Sequence, residues 1–203
     1  DLNRLLKPHG LWFPVDVSTS SRATIGGMTG NNSCGSRSIK YGTMRDNVLA
    51  IDAILADGAA MHFGAVTGDA LARLANGPQG AMIAQVMALG AAEADEIRAR
   101  FPDLMRRVGG YNIDALLPGN DINLSHLLVG SEGTLAYSER VRLKLSPLAG
   151  NKTLGVCHFP TFYEAMDTAQ HLVKLGPVAV ELVEDTMIAL ARDIPMFKPT
   201  VNR

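Results

Sequence analysis

Apolar and polar positions change period several times along the chain, and each change marks a segment. Residues 1–46 are rich in Gly, Ser, Thr and Asn with little periodicity, which predicts ordered loops around short helical turns. From Asn47 to Phe63 the pattern is that of a β-hairpin, with a strand over 47–56, a turn at Asp57-Gly58 and a return strand over 59–63. An Asp-Gly pair favours the two positive φ angles of a type I′ turn. Residues 80–107 are the strongest helical stretch. There Met82, Ile83, Val86, Met87, Leu89, Ala94, Ile97 and Phe101 recur at helical spacing, opposite Glu93, Asp95, Glu96, Arg98 and Arg100. The methionines read as core filler, and Pro102 is expected to end the helix or start a second short one. Asp121 is placed to cap a short helix over 124–128. Residues 134–145 alternate towards their end (Val141, Leu143, Leu145) and predict a strand leading to Ser146-Pro147.

The composition shifts at Pro147-Leu-Ala-Gly-Asn151. Beyond that point the chain reads as strand (152–158), helix (163–175), strand (178–183) and helix (184–191). That order is the βαβα start of a second unit, giving domains 1–150 and 151–203. The fold class expected is α+β.

Composition narrows the function. Apolar residues make up 47% and charged residues 19%, enough for a packed core and unlike a disordered chain. The net charge of −1 creates no field that would draw in nucleic acid, and 5% aromatic residues argue against a base-stacking surface. Cys34 and Cys157 form no CxxC pattern, which excludes a disulfide framework or cysteine zinc site and points to a reducing compartment. No apolar run reaches the roughly 18 residues needed to span a bilayer. The start at Asp1-Leu-Asn-Arg-Leu5 carries no initiating Met or signal grammar, and the stretch from Pro195 has no evident closing element, so a piece of a longer protein is expected.

The most informative chemistry lies in Ala23-Thr-Ile-Gly-Gly-Met-Thr-Gly-Asn-Asn-Ser-Cys-Gly35. Gly26, Gly27, Gly30 and Gly35 allow positive φ and close backbone approach, so successive amides could form an anion-binding nest. Ser18, Thr19, Ser20, Thr24 and Ser33 add hydroxyl groups, and Arg22 and Arg37 add positive charge. A diphosphate needs that mixture; a plain glycine-rich surface loop has the same composition. The glycine offsets do not match G-x-G-x-x-G, and Ser36-Arg37 stands where a P-loop needs Lys-Ser/Thr. Gly130-Ser-Glu-Gly133 is one residue short of a nucleophile elbow. His9, His62, His126, His158 and His171 are scattered and read as structural, with no metal site expected. Glu184 and Asp185 read as helix-start residues.

Three stretches together resemble a known family. Phe13-Pro14-x-Asp16-x-Ser18-Thr-Ser-Ser-Arg-Ala23-Thr-Ile-Gly-Gly27, with Asn31-Asn32-Ser-Cys-Gly35, resembles the flavin-binding core of the vanillyl-alcohol-oxidase/PCMH superfamily. Tyr41-Gly-Thr-Met-Arg-Asp-Asn-Val-Leu-Ala-Ile-Asp-Ala-Ile-Leu-Ala-Asp-Gly58 is similar to its strand-turn signature, and Leu128-Val-Gly-Ser-Glu-Gly-Thr-Leu135 to its second glycine motif. Within the superfamily the chain resembles the FAD-linked D-2-hydroxy-acid dehydrogenases, of glycolate oxidase, D-lactate dehydrogenase and D-2-hydroxyglutarate dehydrogenase type. Phe159-Pro-Thr-Phe-Tyr and Val178-Ala-Val-Glu-Leu-Val183 are similar to the large bacterial members fused to an iron–sulfur region.

The resemblance implies FAD as cofactor, with an iron–sulfur cluster elsewhere in the longer protein. It implies a PCMH-type second FAD-binding subdomain, a mixed or antiparallel sheet with flanking helices, followed by the start of a ferredoxin-like cap domain. It implies that the loop through Thr24, Ile25, Gly26, Gly27, Gly30, Asn31, Asn32, Cys34 and Gly35 passes along the diphosphate and ribityl chain. Pro14, Ser18 and Ser20 would lie on the flavin side, and Glu132, Gly133, Thr134 and Tyr137 would approach the adenine end. Relatives usually carry Gly then Val or Ile where this chain has Ala136-Tyr137. The catalytic residues are expected in the remainder of the cap. The partners implied are a small 2-hydroxy acid and an electron acceptor, without nucleic acid or a membrane span, in the cytoplasm or at the inner-membrane periphery. A non-catalytic scaffold derived from the same fold is the alternative.

Overall fold

Short helices and turns dominate the first segment, each with a local cause. A computed structural model describes residues 1–119 and 121–201; Asn202 and Arg203, at the end of the stretch from Pro195, lie outside the described residues. Helix α1 (Leu2–Leu6) is tied to strand β1 (Leu11–Trp12) and the residue after it, because the Asn3 side chain accepts from the Phe13 amide (2.7 Å) and donates to its carbonyl (3.2 Å). Helix α2 (Ile25–Gly30) starts at Thr24, whose hydroxyl accepts from the Gly27 amide at 3.1 Å. Helix α3 (Ser38–Tyr41) stops at Gly42, which takes a positive φ of 75°. Helix α4 (Met44–Asn47) opens with a capping box in which the Asp46 carboxylate accepts from the Thr43 amide (2.7 Å).

The predicted hairpin forms as strands β2 (Val48–Ile54) and β3 (Ala60–Phe63), antiparallel, with Ile51 opposite Phe63 and Asp52 opposite His62. Its turn differs from the expected type I′. Only Gly58 has a positive φ (84°); its amide donates to the Leu55 carbonyl, while the Leu55 amide donates to the Ala59 carbonyl, both at 2.9 Å. This is the wider turn closed by a glycine bulge. Asp57 has a competing local bond, since its carboxylate accepts from the Ala59 amide (2.9 Å), and this holds it out of the left-handed region.

Strand β4 (Ala65–Val66) leads to helix α5 (Gly68–Ala75), then α6 (Gly80–Ala92) and α7 (Ala94–Arg100). The helical stretch from 80, expected to end at Pro102, does end just before it but is two helices, not one. It breaks at Glu93, and the second piece ends at Arg100 because Phe101, preceding Pro102, is extended. Ile83 and Ile97 face the core, and Met82, Val86 and Met87 pack against it as filler. A single 3-10 turn follows at Ile113–Leu116. Strand β5 (Ile122–Asn123) pairs with β4 and runs into helix α8 (Ser125–Leu128). The side chain serving the start of α8 is Asn123, not Asp121: its Oδ1 accepts from the Ser125 amide (3.0 Å) and hydroxyl (2.8 Å). Strand β6 (Tyr137–Leu143) adds antiparallel to β2, giving the sheet order β3-β2-β6, and β7 (Ser146–Pro147) pairs with β1.

Chain contacts divide the molecule into units at 1–149 and 150–203. The first is α+β, as expected. Its core gathers Phe13, Met28, Met44, Val48, Ile51, Phe63, Leu116, Leu124 and Val129 under the sheet. The second contains α9 (Phe162–Leu172), capped by the Thr161 hydroxyl, and α10 (Asp185–Asp193), whose start Glu184 caps by accepting from the Thr186 amide (3.0 Å). A last turn, α11 (Lys198–Val201), follows. The strands predicted at 152–158 and 178–183 do not form. A strand exists through its ladder, and among the described residues neither stretch has a ladder partner. None of the described residues of this unit is buried.

Ile51 is fully enclosed on the middle strand. Ile51→Ala should cost about 2–5 kcal/mol, whereas Leu49→Ala, on the exposed side of the same strand, should stay within about 0.5 kcal/mol. Denaturant unfolding of both variants beside the wild type checks the difference.

Candidate functional site

The glycine-rich segment is more regular than a loop. Residues 25–30 are helical, and none of Gly26, Gly27, Gly30 or Gly35 has a positive φ. The anion nest expected from glycine conformational freedom is thus not how these residues are used. Thr24 initiates a helical turn, and glycine serves by being small. At Gly26 an added Cβ would meet nothing within 4 Å, so its backbone is open to a ligand. At Gly30 it would stand 3.8 Å from the Glu132 Cα. At Gly35 it would collide with the Asp16 carbonyl oxygen, so glycine is required there. The Asp16 carboxylate in turn accepts from the Ser36 hydroxyl and the Arg37 amide, each at 3.2 Å, and Arg37 lies over the Trp12 ring (5.1 Å).

The structure brings the two glycine motifs together. The Gly130 amide donates to the Thr29 carbonyl (2.9 Å) and the Glu132 amide to the Gly30 carbonyl (2.8 Å). These bonds satisfy carbonyls at the end of α2 that have no partner within the helix. Positive φ angles concentrate at this junction, at Asn32 (51°), Gly130 (84°), Glu132 (51°) and Gly133 (76°). Gly133 is exposed, with nothing within 4 Å of a Cβ. Thr134 donates its hydroxyl hydrogen to the Ser131 carbonyl (2.6 Å) and shares a contact with the Tyr111 hydroxyl (2.8 Å).

Beneath the junction lies a polar network. Asn32 is buried, and its Oδ1 accepts from the Arg45 amide at 3.0 Å, which orients Nδ2; that Nδ2 is enclosed with no acceptor among the described residues. A buried donor in that condition costs about 1–3 kcal/mol unless an acceptor arrives. The Arg45 guanidinium reaches the Asp114 carboxylate (2.7 Å) and Asn112 Oδ1 (3.3 Å), and Arg107 pairs with the other Asp114 oxygen (2.6 Å). Asn112 Nδ2 donates to the carbonyls of Val129 (2.7 Å) and His126 (3.3 Å). Burial opposes ionisation of Asp114, but the hydrogen bonds and charges of Arg45 and Arg107 outweigh it and hold the carboxyl below its ordinary range. Burial, reinforced by the Arg45 charge, lowers the His126 pKa and favours the neutral ring; Asp46 and Asp114 oppose this weakly.

Other site residues read from the sequence fall at varied positions. Ser18, Ser20, Thr24 and Asn31 are exposed and available to a ligand; Ile25 and Cys34 are half-buried. Pro14 is fully buried between Phe13 and Val15, so it presents no side chain to a cleft. Tyr137 is exposed on β6, paired with Ile54. Sequence reasoning missed Arg45, Arg107, Tyr111, Asn112 and Asp114. For the last four the only signal was an unexplained polar run, Arg106-Arg-Val-Gly-Gly-Tyr-Asn-Ile-Asp114, too short in period to be a helix face, and Arg45 stood unremarked within the Tyr41–Gly58 stretch.

A second charged cluster occupies the solvent face of the sheet. The Asp52 carboxylate meets His62 Nδ1 (2.6 Å) and Arg140 (3.3 Å), and the His62 hydrogen bond is the main reason its pKa is lowered. Among the described residues no three His, Cys, Asp or Glu side chains converge as a metal site, and no helix is long and apolar enough to cross a membrane.

Residues 1–64 match the FAD binding domain family. The chain is 33% identical over 193 residues to D-2-hydroxyglutarate dehydrogenase of Pseudomonas putida, covering 94% of this chain and 19% of that protein. It is 31% identical over 196 residues to the Escherichia coli protein of the same name, covering 95% of this chain and 19% of the relative. A D-lactate dehydrogenase of Archaeoglobus fulgidus is 29% identical over 187 residues, covering 92% of this chain and 31% of the relative. The chain thus spans about a fifth of the length of the D-2-hydroxyglutarate dehydrogenases it matches.

Acid should weaken the network in two stages. The His126 ring binds a proton less readily folded than unfolded, so stability is full above the unfolded value of 6.5 and declines as pH falls below it. The depressed Asp114 carboxyl adds a second loss below 3.8. Thermal melts between pH 8 and pH 5 should show a falling Tm, and His126→Gln should flatten that slope; an unchanged slope in the variant would exclude His126 as its source.

Proposed function

Because this chain belongs to the FAD-linked oxidase family, we propose that residues 1–149 form one wall of an FAD cleft in an FAD-dependent dehydrogenase of D-2-hydroxy acids. The observation that carries the reading is the junction of the two glycine motifs, with main chain open at Gly26 and Gly133 and the buried Asn32 donor beside it. These features suit FAD. A diphosphate and ribityl chain bring many acceptor oxygens, and the main-chain amides of Ile25, Gly26 and Gly133, with the hydroxyls of Ser18 and Ser20, are donors without bulky side chains in the way.

In this reading the residues of the chain bind and orient. Thr24 shapes the turn that presents Ile25, Gly26 and Gly27, and Asn32 offers its unpaired Nδ2 to an acceptor. Glu132, Gly133 and Thr134 approach the other end through the backbone, with Tyr137 at its edge. Bound flavin would supply the hydride acceptor for oxidation of the substrate's α-carbon to a 2-oxo acid. The substrate class is D-lactate, glycolate or D-2-hydroxyglutarate. Relatives bearing the D-2-hydroxyglutarate and D-lactate dehydrogenase names support that class, and an electron acceptor completes the cycle. We place the substrate-contacting residues, an iron–sulfur region and the rest of the cap in the remainder of a longer protein, cytoplasmic or at the inner-membrane periphery.

The whole protein should be yellow as purified, and its flavin bands should bleach on anaerobic addition of D-lactate or D-2-hydroxyglutarate. A colourless protein that takes up no FAD would favour a non-catalytic scaffold instead. Residues 1–203 alone should retain little or no flavin, which the absorbance of the purified chain tests.

Gly27→Val places its Cβ 3.0 Å from the Thr24 hydroxyl and its branches over the open backbone. In the whole protein it should abolish flavin retention while the protein stays folded. Flavin content at the wild-type level would show that this turn does not line the cleft.

A further inference from the structure

We propose that Asp114 is a positioning residue for this cleft: by gripping Arg45 it holds the two glycine motifs at a fixed separation. The inference rests on the flavin reading above and extends it to residues that need not touch the cofactor.

Each link is short. The Arg45 amide holds Asn32, two residues beyond α2, at 3.0 Å. The Arg45 side chain crosses to Asp114 (2.7 Å) and to Asn112 (3.3 Å). Asn112 then holds the Val129 carbonyl, immediately before Gly130, at 2.7 Å. Arg107 closes on the second Asp114 oxygen at 2.6 Å and is itself held over the Phe101 ring at 4.6 Å. One carboxylate therefore joins the strap over 107–114 to the first motif through Arg45, while Asn112 of the same strap joins the second. Bonds of this kind between charged, mostly buried groups fix direction as well as distance. The direct amide bonds at Thr29 and Gly30 set where the motifs touch; the clamp limits how they can tilt about that line.

The test uses the whole protein carrying Asp114→Asn, which keeps the shape but removes the charge opposing two guanidinium groups. FAD affinity should fall about tenfold or more. The visible circular dichroism of the flavin bound at saturation should also change, because that signal reads the arrangement of groups around the ring. Asp114→Glu should restore part of both. Arg107→Gln, which loses only the outer arm, should give a smaller change in the same direction and covers the case in which Asp114→Asn does not fold. Folded variants with wild-type FAD affinity and an unchanged flavin spectrum would overturn the clamp while leaving the flavin reading intact. Failure of both variants to fold would assign these residues to stability alone and also overturn it. A wild-type protein that takes up no FAD would overturn the flavin reading itself.

Discussion

The last turn of α2 leaves the carbonyls of Thr29 and Gly30 without donors from their own helix, and the amides of Gly130 and Glu132 supply them. That requirement shapes much around it. The second motif must bring two amides, two positions apart, to the same helix end, and it does so by passing through positive φ at Gly130, Glu132 and Gly133. Gly30 lies in ordinary contact with Glu132, and Asn32 leaves α2 through a left-handed conformation beside Gly130, where an added Cβ would stand 3.2 Å from the Asn32 Cβ. Ser33 then returns towards the core, where its carbonyl accepts from the Met44 amide at 2.9 Å.

Below that junction the chain holds charge in half-buried positions, where it seldom adds net stability. Removing Arg45, Arg107 and Asp114 from water is expensive, and an apolar replacement of the same volume would often be as stable. What the charged triad provides is direction. Arg45 can satisfy Asp114 and Asn112 together only in one placement of the strap, and Asn112 in turn fixes the carbonyl that precedes Gly130. The neutral His126 ring and the ionised Asp114 carboxyl both follow from that placement. One is disfavoured as a cation by burial and by Arg45, and the other is stabilised by two guanidinium groups.

The second unit shows the same physics from the other side. Its helices start at local caps, the Thr161 hydroxyl and the Glu184 carboxylate. The apolar stretches at 152–158 and 178–183 have the composition of strands but, among the described residues, no ladder partner. Leu154 and Val183 remain largely exposed within that unit.

Much of the architecture was legible in the residues. An Asp-Gly turn placed the hairpin, alternation placed the strand that becomes β6, helical spacing placed the segment holding Ile83 and Ile97, and the two glycine motifs stood out by composition. These features are written in neighbours a few positions apart, where backbone sterics and side-chain periodicity decide the outcome. The turn type, the break at Glu93 and the cap at Asn123 went differently because each depended on which local hydrogen bond won. The clamp was invisible: Arg45 and Asp114 are separated by 69 positions. Nothing in the local pattern of either residue says that a carboxylate and a guanidinium will be paired at a half-buried position. The sequence by itself determined the elements and the glycines that permit close approach. Only the tertiary structure decided which amides meet the end of α2 and which charges lie beneath it, because a buried polar group takes whatever partner the packed chain brings within reach.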